Sequence, residues 1–370
     1  MPSNVNNLLK AWAFSLIFVL GGILLLEATY SPETETADAT STAAADAGAE
    51  ATEDEAQGTD AADTDHQQSN TQTTATNLPA PGQAVEAQVS DQPSAVSSIP
   101  QSVPVKVVAE LLEESNFGPL PKIADDGRKS FDIYAAPRQH SRTTSRIAIL
   151  FTDLGKKSRN TKRAIDELPA SISLAFSVYG SNLHDWGQKA RAAGHEVLLA
   201  IPMEPTNYPQ NDPGPLTLLT TQSTRVKLNL LRSSLGKFTG YVGVVNYMGS
   251  RFTAASDSIR PVLDELKRRG LMFVDNRDSK YSLAASMAQG INMPWAVNNG
   301  YIDDDLNSES IALQLAELEK RARAQGTALG IARSYPVTVR AVKVWAATLE
   351  ERGFTLVPTS SIANQQALPR

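Results

Sequence analysis

The segment "GHEVLLAIPMEP", Gly194–Pro205, is a short apolar run that ends at an acid. Its centre, residues 197–201, contains no polar side chain. A run of this length without polar residues is typical of a strand that is buried on both faces of a parallel sheet. We therefore predict a buried strand that carries the Glu204 carboxylate where the chain leaves the core.

Similar runs recur on both sides of this strand, and each is followed by a segment with helical periodicity. The predicted strands are "IAILFTD", "SISLAFSVY", "YVGVVNYM", "LMFVDNRD", the weaker "PWAVNNGYIDDD", "TALGIARSYP" and "FTLVPTS". In the helix "SIRPVLDELKRRG" we place Pro261 in the first turn, where proline is tolerated. Seven or eight strands that alternate with helices predict an α/β fold with a parallel sheet, and about 220 residues suit a closed or nearly closed (β/α) barrel. We assign this domain to residues 145–366.

In such barrels the chemistry lies at the C-terminal ends of the strands. Five predicted strands end in polar residues, which are Thr152-Asp153, Glu204, Asn246-Tyr247 with Arg251, Asp275 with Arg277, and Arg333 with Tyr335. Their convergence predicts a site on one rim of the barrel. The alternative is that these acids and arginines only hold loops in place.

An apolar segment, "AWAFSLIFVLGGILLL", begins at Ala11. A membrane-spanning helix needs roughly 20 apolar residues, so this run is near the lower limit. Lys10 precedes it and Glu27 follows it, a bias that keeps residues 1–10 in the cytoplasm. We predict an uncleaved single-pass anchor over residues 11–30 in the inner membrane, with the folded domain in the periplasm. A cleaved signal peptide, leaving a secreted or periplasmic protein, and a buried globular helix are the alternatives.

Residues 31–105 have the composition of a disordered acidic tether. Residues 11–105 contain 14 acidic residues and no Lys or Arg, and such a chain buries too little apolar surface to offset its ordering entropy. Residues 106–370, which comprise a lead-in segment (106–144) and the barrel, contain 33 basic and 26 acidic residues, a net charge of +7. This excess permits anionic glycans or lipid headgroups as neighbours, or is ordinary surface charge. The chain has no cysteine, which excludes disulfides and thiolate metal sites, and it has no nucleic-acid-binding motif.

The motifs "ILFTDLG", "GHEVLLAIPMEP", "DPGP", "GYVGVVNYMGSRFT", "RGLMFVDNRD" and "SYP" occur in one order between Gly118 and Ser361. In order and spacing they resemble the divergent polysaccharide deacetylase family, which is similar to the carbohydrate esterases of the NodB type. The resemblance implies a distorted (β/α) barrel and a setting in the cell envelope. In the wider superfamily it implies metal-dependent removal of acetyl groups from glycans.

The chain departs, motif by motif, from the pattern that this resemblance implies, although Asp153, an implied metal ligand, and Glu204 are kept. The substitutions affect the implied base, metal-ligand and acid positions. Thr152 stands in place of an aspartate, and three residues stand in place of histidines, namely Ala200, Tyr247 and Arg333. Asn298-Asn299 stands in place of an Arg-Asp pair. Zinc hydrolase sites use imidazole and carboxylate ligands, and threonine and arginine do not transfer protons near neutral pH. Because of these substitutions we assign no catalytic residue, and we regard Thr152 and Arg333 as degenerate catalytic positions.

Histidine is scarce in this chain, which has only His66, His140, His184 and His195. His195 stands at the start of its strand, which is the wrong end of a barrel for a catalytic role. Asp153, Glu204 and Asp275 could form at best a weak site for a hard divalent cation such as Mg²⁺ or Ca²⁺. We expect no other cofactor.

Three functions remain open from the sequence. The first is a degenerate deacetylase whose cleft binds an envelope glycan or an envelope protein, with Tyr247, Asn246, Arg251, Arg277, Arg333 and Tyr335 as the substrate-binding residues. The second is a working deacetylase that uses the retained acids around a metal. The third is a structural envelope scaffold whose rim acids and arginines neutralise each other. The oligomeric state is not determined by the sequence.

Overall fold

The computed structural model describes residues 102–137 and 145–368. Its strands are β1 (Leu112–Glu113), β2 (Leu120–Pro121), β3 (Arg146–Leu154), β4 (Ser173–Ser177), β5 (Val197–Met203), β6 (Gly243–Met248), β7 (Met272–Asp275), β8 (Trp295–Val297), β9 (Gly300–Tyr301), β10 (Thr327–Arg333) and β11 (Thr355–Leu356). Its α-helices are α1 (Ser130–Ile133), α2 (Ser158–Glu167), α3 (Leu183–Ala192), α4 (Thr224–Leu235), α5 (Ser256–Arg268), α6 (Ala284–Gly290), α7 (Ser308–Gln325) and α8 (Pro336–Ala347).

One parallel sheet runs in the order β8-β7-β6-β5-β4-β3-β10-β9, and β11 adds to the start of β3. The two ends of this sheet, β8 and β9, are separated in the chain only by Asn298 and Asn299. The backbone N–H of Asn298 donates to Asp275 O, and that of Asn299 donates to Leu329 O, both at 2.8 Å. The chain therefore passes directly from β8, beside β7, to β9, beside β10, and joins the two ends of the curled sheet. This α/β arrangement fits the predicted distorted barrel.

The strands alternate between two apolar layers, as the period of a β-strand requires. From β3, Ile147 and Ile149 belong to the layer between the sheet and the helices. Ala148 and Leu150 belong to a second cluster inside the barrel, together with Ala200 from β5.

The lead-in segment belongs to the same folded unit. Leu111, Ala124 and Tyr134 are buried in the interior cluster of the barrel. Val103 is 3% exposed, and Val105 O accepts hydrogen bonds from the Arg191 guanidinium at 3.2 and 3.3 Å. The predicted end of the tether at residue 105 is therefore wrong by a few residues, because Val103 is already packed.

A second difference concerns helix α5. It begins at Ser256, so Pro261 lies inside the helix rather than in its first turn. The backbone hydrogen bond that proline lacks would have gone to the carbonyl of Asp257, an exposed residue at the start of the helix. Loss of a bond at this exposed end is tolerated.

No helix within residues 102–137 and 145–368 is both long enough and apolar enough to cross a membrane. The predicted anchor over residues 11–30 and the tether as far as residue 101 lie outside the described residues. His66 and His140 also lie outside them.

Candidate functional site

A cleft of about 370 Å³ opens where the strands of the barrel end. Its walls come from six strands and the residues that follow them, and they are Thr152, Asp153, Ala200, Val245, Asn246, Tyr247, Met248, Asn276, Asp278, Tyr301, Asp304, Ile331, Arg333 and Tyr335. Because all these strands are parallel, their C-terminal ends meet on one rim. Six of the predicted site residues line this cleft, namely Thr152, Asp153, Asn246, Tyr247, Arg333 and Tyr335.

Asp153 lies at an irregularity of β3, where the pairing register with β4 shifts between Phe151 and Leu154. Its φ of 63° is in the left-handed region that L-residues seldom adopt. This turn directs its carboxylate to Lys156, whose Nζ lies 2.8 Å from Asp153 Oδ1. Burial alone would lower the pKa of Lys156, but the hydrogen bond and charge of Asp153 outweigh it and raise that pKa. The same Nζ lies 4.7 Å from the centre of the Tyr247 ring.

Thr152 and Ala200 form the part of the wall where the family resemblance implies a base and a metal ligand. The Thr152 hydroxyl donates to Ala332 O at 3.3 Å. Ala200 is 5% exposed and presents only a methyl group. Neither side chain accepts a proton near neutral pH.

Arg333 forms ion pairs with two consecutive acids, Asp303 and Asp304, which the sequence analysis did not select as site residues. Its Nε lies 3.3 Å from Asp303 Oδ1, and its Nη2 lies 3.1 Å from Asp304 Oδ1. Asp303 is fully buried and also accepts the Thr338 hydroxyl at 3.0 Å. Burial by itself would lower the pKa of Arg333, and the two carboxylates raise it. Arg333 therefore remains a fixed cation.

Asn246 and Asn276 join the ends of β6 and β7. The backbone N–H of Asn276 donates to Asn246 Oδ1 at 2.9 Å, and Asn246 Nδ2 donates to Asn276 Oδ1 at 2.5 Å. Asn246 is 2% exposed, so its amide serves mainly to shape the wall. Met248 and Arg277, which follow on the same two strands, both have φ 56°. Strained backbone of this kind persists where the surrounding structure requires it, and it is common at functional sites.

Asp278 and Tyr301 are cleft residues that the sequence analysis missed. The Tyr301 hydroxyl donates to Asp278 Oδ1 at 2.6 Å. Burial raises the pKa of the Tyr301 phenol, and the neighbouring Asp278 charge adds to that rise. The phenol therefore stays protonated. Asp278 was present in the motif "RGLMFVDNRD", but only the fold brings β9 beside the loop after β7.

Glu204 holds loops together and does not line the cleft. Its Oε2 accepts the backbone N–H of Thr220 at 2.5 Å and the Thr220 hydroxyl at 2.7 Å. Its Oε1 lies 3.4 Å from Arg251 Nη1. Glu204 is 3% exposed, so the two predicted site residues Glu204 and Arg251 form a structural pair beside the cleft.

Asp275 is also occupied within its own loop. Its carboxylate accepts the backbone N–H of Arg277 at 2.9 Å and the Ser282 hydroxyl at 2.7 Å. Burial raises its pKa. Neither Asp275 nor Arg277 is among the residues that line the cleft.

The three acids considered for a hard cation thus have separate surroundings. Across the part of the chain that the structure describes, no three His, Cys, Asp or Glu side chains stand together as a metal site. The grouping of Asp153, Glu204 and Asp275 is corrected accordingly, because two of them are used to fix loops. His195 lies at the opposite end of its strand, where its ring nitrogens contact Ile172 O and Ile165 O.

These features define a distorted (β/α) barrel with a polar, tyrosine-lined cleft at its C-terminal rim. Residues 149–363 match the family model described as divergent polysaccharide deacetylase. The match covers more than half of the chain, and the chain belongs to that family.

The chain is also similar to proteins of known sequence or structure. The chain is 28% identical over 220 residues to the uncharacterized protein YibQ of Escherichia coli K12, covering 60% of this chain and 68% of that protein. It is 24% identical over 208 residues to an uncharacterized protein of Haemophilus influenzae, covering 56% and 73% respectively. The crystal structure of the uncharacterized protein ATU2773 from Agrobacterium tumefaciens C58 superposes with a TM-score of 0.65 at 36% identity, covering 66% of this chain and 99% of that one.

Proposed function

We propose that this protein is a degenerate deacetylase that binds an envelope glycan in its rim cleft without hydrolysing it. The observation that carries the proposal is the state of Arg333, which occupies the implied acid position and is bound by Asp303 and Asp304. A guanidinium keeps its proton at neutral pH. Thr152, which pairs with Arg333 across β3 and β10, and Ala200 occupy the other implied positions. The cleft therefore offers no group for proton transfer at the positions where deacetylation uses one.

Three tyrosines make the cleft suitable for sugars. Tyr247, Tyr301 and Tyr335 line it together with Asp153 and Asp278. Aromatic rings pack against the apolar faces of sugar rings, and carboxylates accept hydrogen bonds from hydroxyl groups. The positive φ angles of Asp153 and Met248 support binding as the role of this rim, because strained backbone is common at functional sites.

Binding without hydrolysis is tested with the purified full chain and an acetylated chitin oligomer. We expect measurable binding by calorimetry and no acetate release, with or without added divalent metal. Tyr247→Ala should weaken binding about fivefold, because an aromatic contact contributes about 1 kcal/mol.

The matched control is Tyr281→Ala, which removes a tyrosine that is 69% exposed and does not line the cleft. It should leave binding unchanged. Acetate release that depends on added metal would show an active deacetylase instead. No binding to acetylated or deacetylated oligomers would leave the scaffold function.

We also propose that the folded unit lies on the outer side of the inner membrane, attached through residues 11–30. The apolar segment and the acidic tether without basic residues support this location. After cell fractionation we expect the full chain in the membrane pellet, and protease should reach it only when the outer membrane is opened. Recovery in the cytosol, or protection from protease after opening, would contradict the location.

A further inference from the structure

The charges of the cleft are unevenly paired. Asp153 has Lys156 as its partner at 2.8 Å. Asp303 and Asp304 share the single Arg333 cation. The acids at the cleft therefore outnumber the cations, although residues 106–370 as a whole have a net charge of +7. The negative balance is local and opposite in sign to that of the domain.

Asp278 is the acid whose charge is not compensated. Its carboxylate accepts the Tyr301 hydroxyl at 2.6 Å and Asn276 Nδ2 at 3.1 Å, and both donors are neutral. Within the described ranges no Lys, Arg or His nitrogen forms an ion pair with it. Its side chain is exposed, and it lines the cleft.

The neutral donors also fix the direction of this carboxylate. The Tyr301 phenol keeps its proton because its pKa is raised by burial, and Asn276 is itself held by Asn246. Each Asp278 oxygen accepts one of these two hydrogen bonds, and a carboxylate oxygen has room for a second. A cationic N–H donor is the partner that gains most from such a site.

We infer that the cleft prefers a glycan with protonated amino groups, such as 2-amino-2-deoxy sugar units without acetyl groups, and that Asp278 binds the ammonium group. This inference rests on the proposed function and names the ligand class for the same cleft. The Tyr247 and Tyr335 rings contact the sugar faces, while Asp278 distinguishes an ammonium from an acetamide. An acetamide N–H can also donate to the carboxylate, but it carries no charge and forms the weaker hydrogen bond.

The test compares glucosamine tetramers with N-acetylglucosamine tetramers at equal pH by calorimetry on the full chain. We expect the glucosamine tetramer to bind about tenfold more tightly, as a charge-assisted hydrogen bond allows. Added salt should shrink the difference, because the charges are partly exposed. Asp278→Asn should bring the two affinities within about twofold of each other, while still accepting the Tyr301 hydroxyl.

The control is Asp264→Asn, which makes the same charge change on α5, where Asp264 pairs with Arg260 on the solvent face. This variant should retain the preference. Equal affinities in the wild type, tighter binding of the acetylated tetramer, or a preference that survives Asp278→Asn would overturn the inference and leave the proposed function intact. Failure to bind either tetramer would overturn the proposed function itself.

Discussion

Glu265→Gln should destabilise the folded unit by about 3–5 kcal/mol, the cost of leaving a buried charge without its partner. Glu265 on α5 is 6% exposed. Its carboxylate accepts Arg232 Nε at 2.9 Å, Arg268 Nη2 at 2.7 Å and Arg269 Nε at 2.8 Å. Arg269 is 2% exposed and would remain buried after the substitution, with only the partly exposed Glu113 as a carboxylate partner. Urea unfolding measures the loss.

The pH dependence of this effect has a definite sign. Burial alone would raise the pKa of Glu265, but hydrogen bonds and charges from the three arginines lower it from 4.5 to about 2. A carboxyl group whose pKa is lowered on folding stabilises the protein when ionised. Its contribution is complete above about pH 4.5 and is lost as the pH falls toward 2. The difference in free energy of unfolding between the wild type and Glu265→Gln should therefore become smaller as the pH falls through that interval.

The control for this prediction is again Asp264→Asn, one residue earlier on α5. Both side chains of its ion pair with Arg260 are about half exposed, and exposed ion pairs contribute about 0–1 kcal/mol to stability. β1 and β2 pair as an antiparallel hairpin in the lead-in segment. If Glu265→Gln were as mild as this control, the arginine cluster would not hold this hairpin to α5.

Gly236→Ala should cost about 1–3 kcal/mol, the usual range for forcing an extra carbon into a packed site. A Cβ built on Gly236, directly after α4, would lie 1.9 Å from Phe117 O. Phe117 lies in the tight turn between β1 and β2, where the Ser115 hydroxyl donates to Gly118 O at 2.6 Å. The carbonyl belongs to this rigid turn, so the whole hairpin must move. Thermal unfolding and limited proteolysis of the lead-in segment measure the change.

Gly290→Ala provides the comparison, because a Cβ at this helix end meets nothing within 4 Å. It should be neutral or stabilising by up to about 1 kcal/mol. If Gly236→Ala resisted heat and protease as well as the wild type does, the hairpin would not pack against the end of α4.

Both predictions concern the lead-in segment, which lies ahead of the family-matched residues 149–363. Arg269 Nη1 contacts Glu113 Oε1 and Pro121 O, both at 2.8 Å. The fully buried Glu196 accepts the backbone N–H of Ala136 at 3.3 Å. The stable unit therefore starts near residue 103, and its lead-in closes the end of the barrel away from the cleft.

The strands of the parallel sheet, and the polar residues at their C-terminal ends, could be predicted from the sequence alone. Uninterrupted apolar runs such as residues 197–201 indicate parallel strands, and the parallel arrangement places Asp153, Tyr247 and Arg333 on one rim. The prediction was less accurate for Glu204 and Asp275. Both acids stand at strand ends, yet their carboxylates turn to Thr220 and Ser282, and nothing in the local pattern distinguishes such an acid from one that faces the cleft.

Strand periodicity and helix alternation are local properties of the chain, so the barrel and the residues at its rim can be predicted from the amino-acid order. Which rim groups face the cleft, and which partners neutralise them, depends on contacts between distant parts of the chain. Asp278 meets Tyr301, and Arg333 meets Asp303, across separations of 23 and 30 residues. Such pairs form when closure of the sheet brings β7, β9 and β10 together, and that closure depends on the packing of the whole barrel.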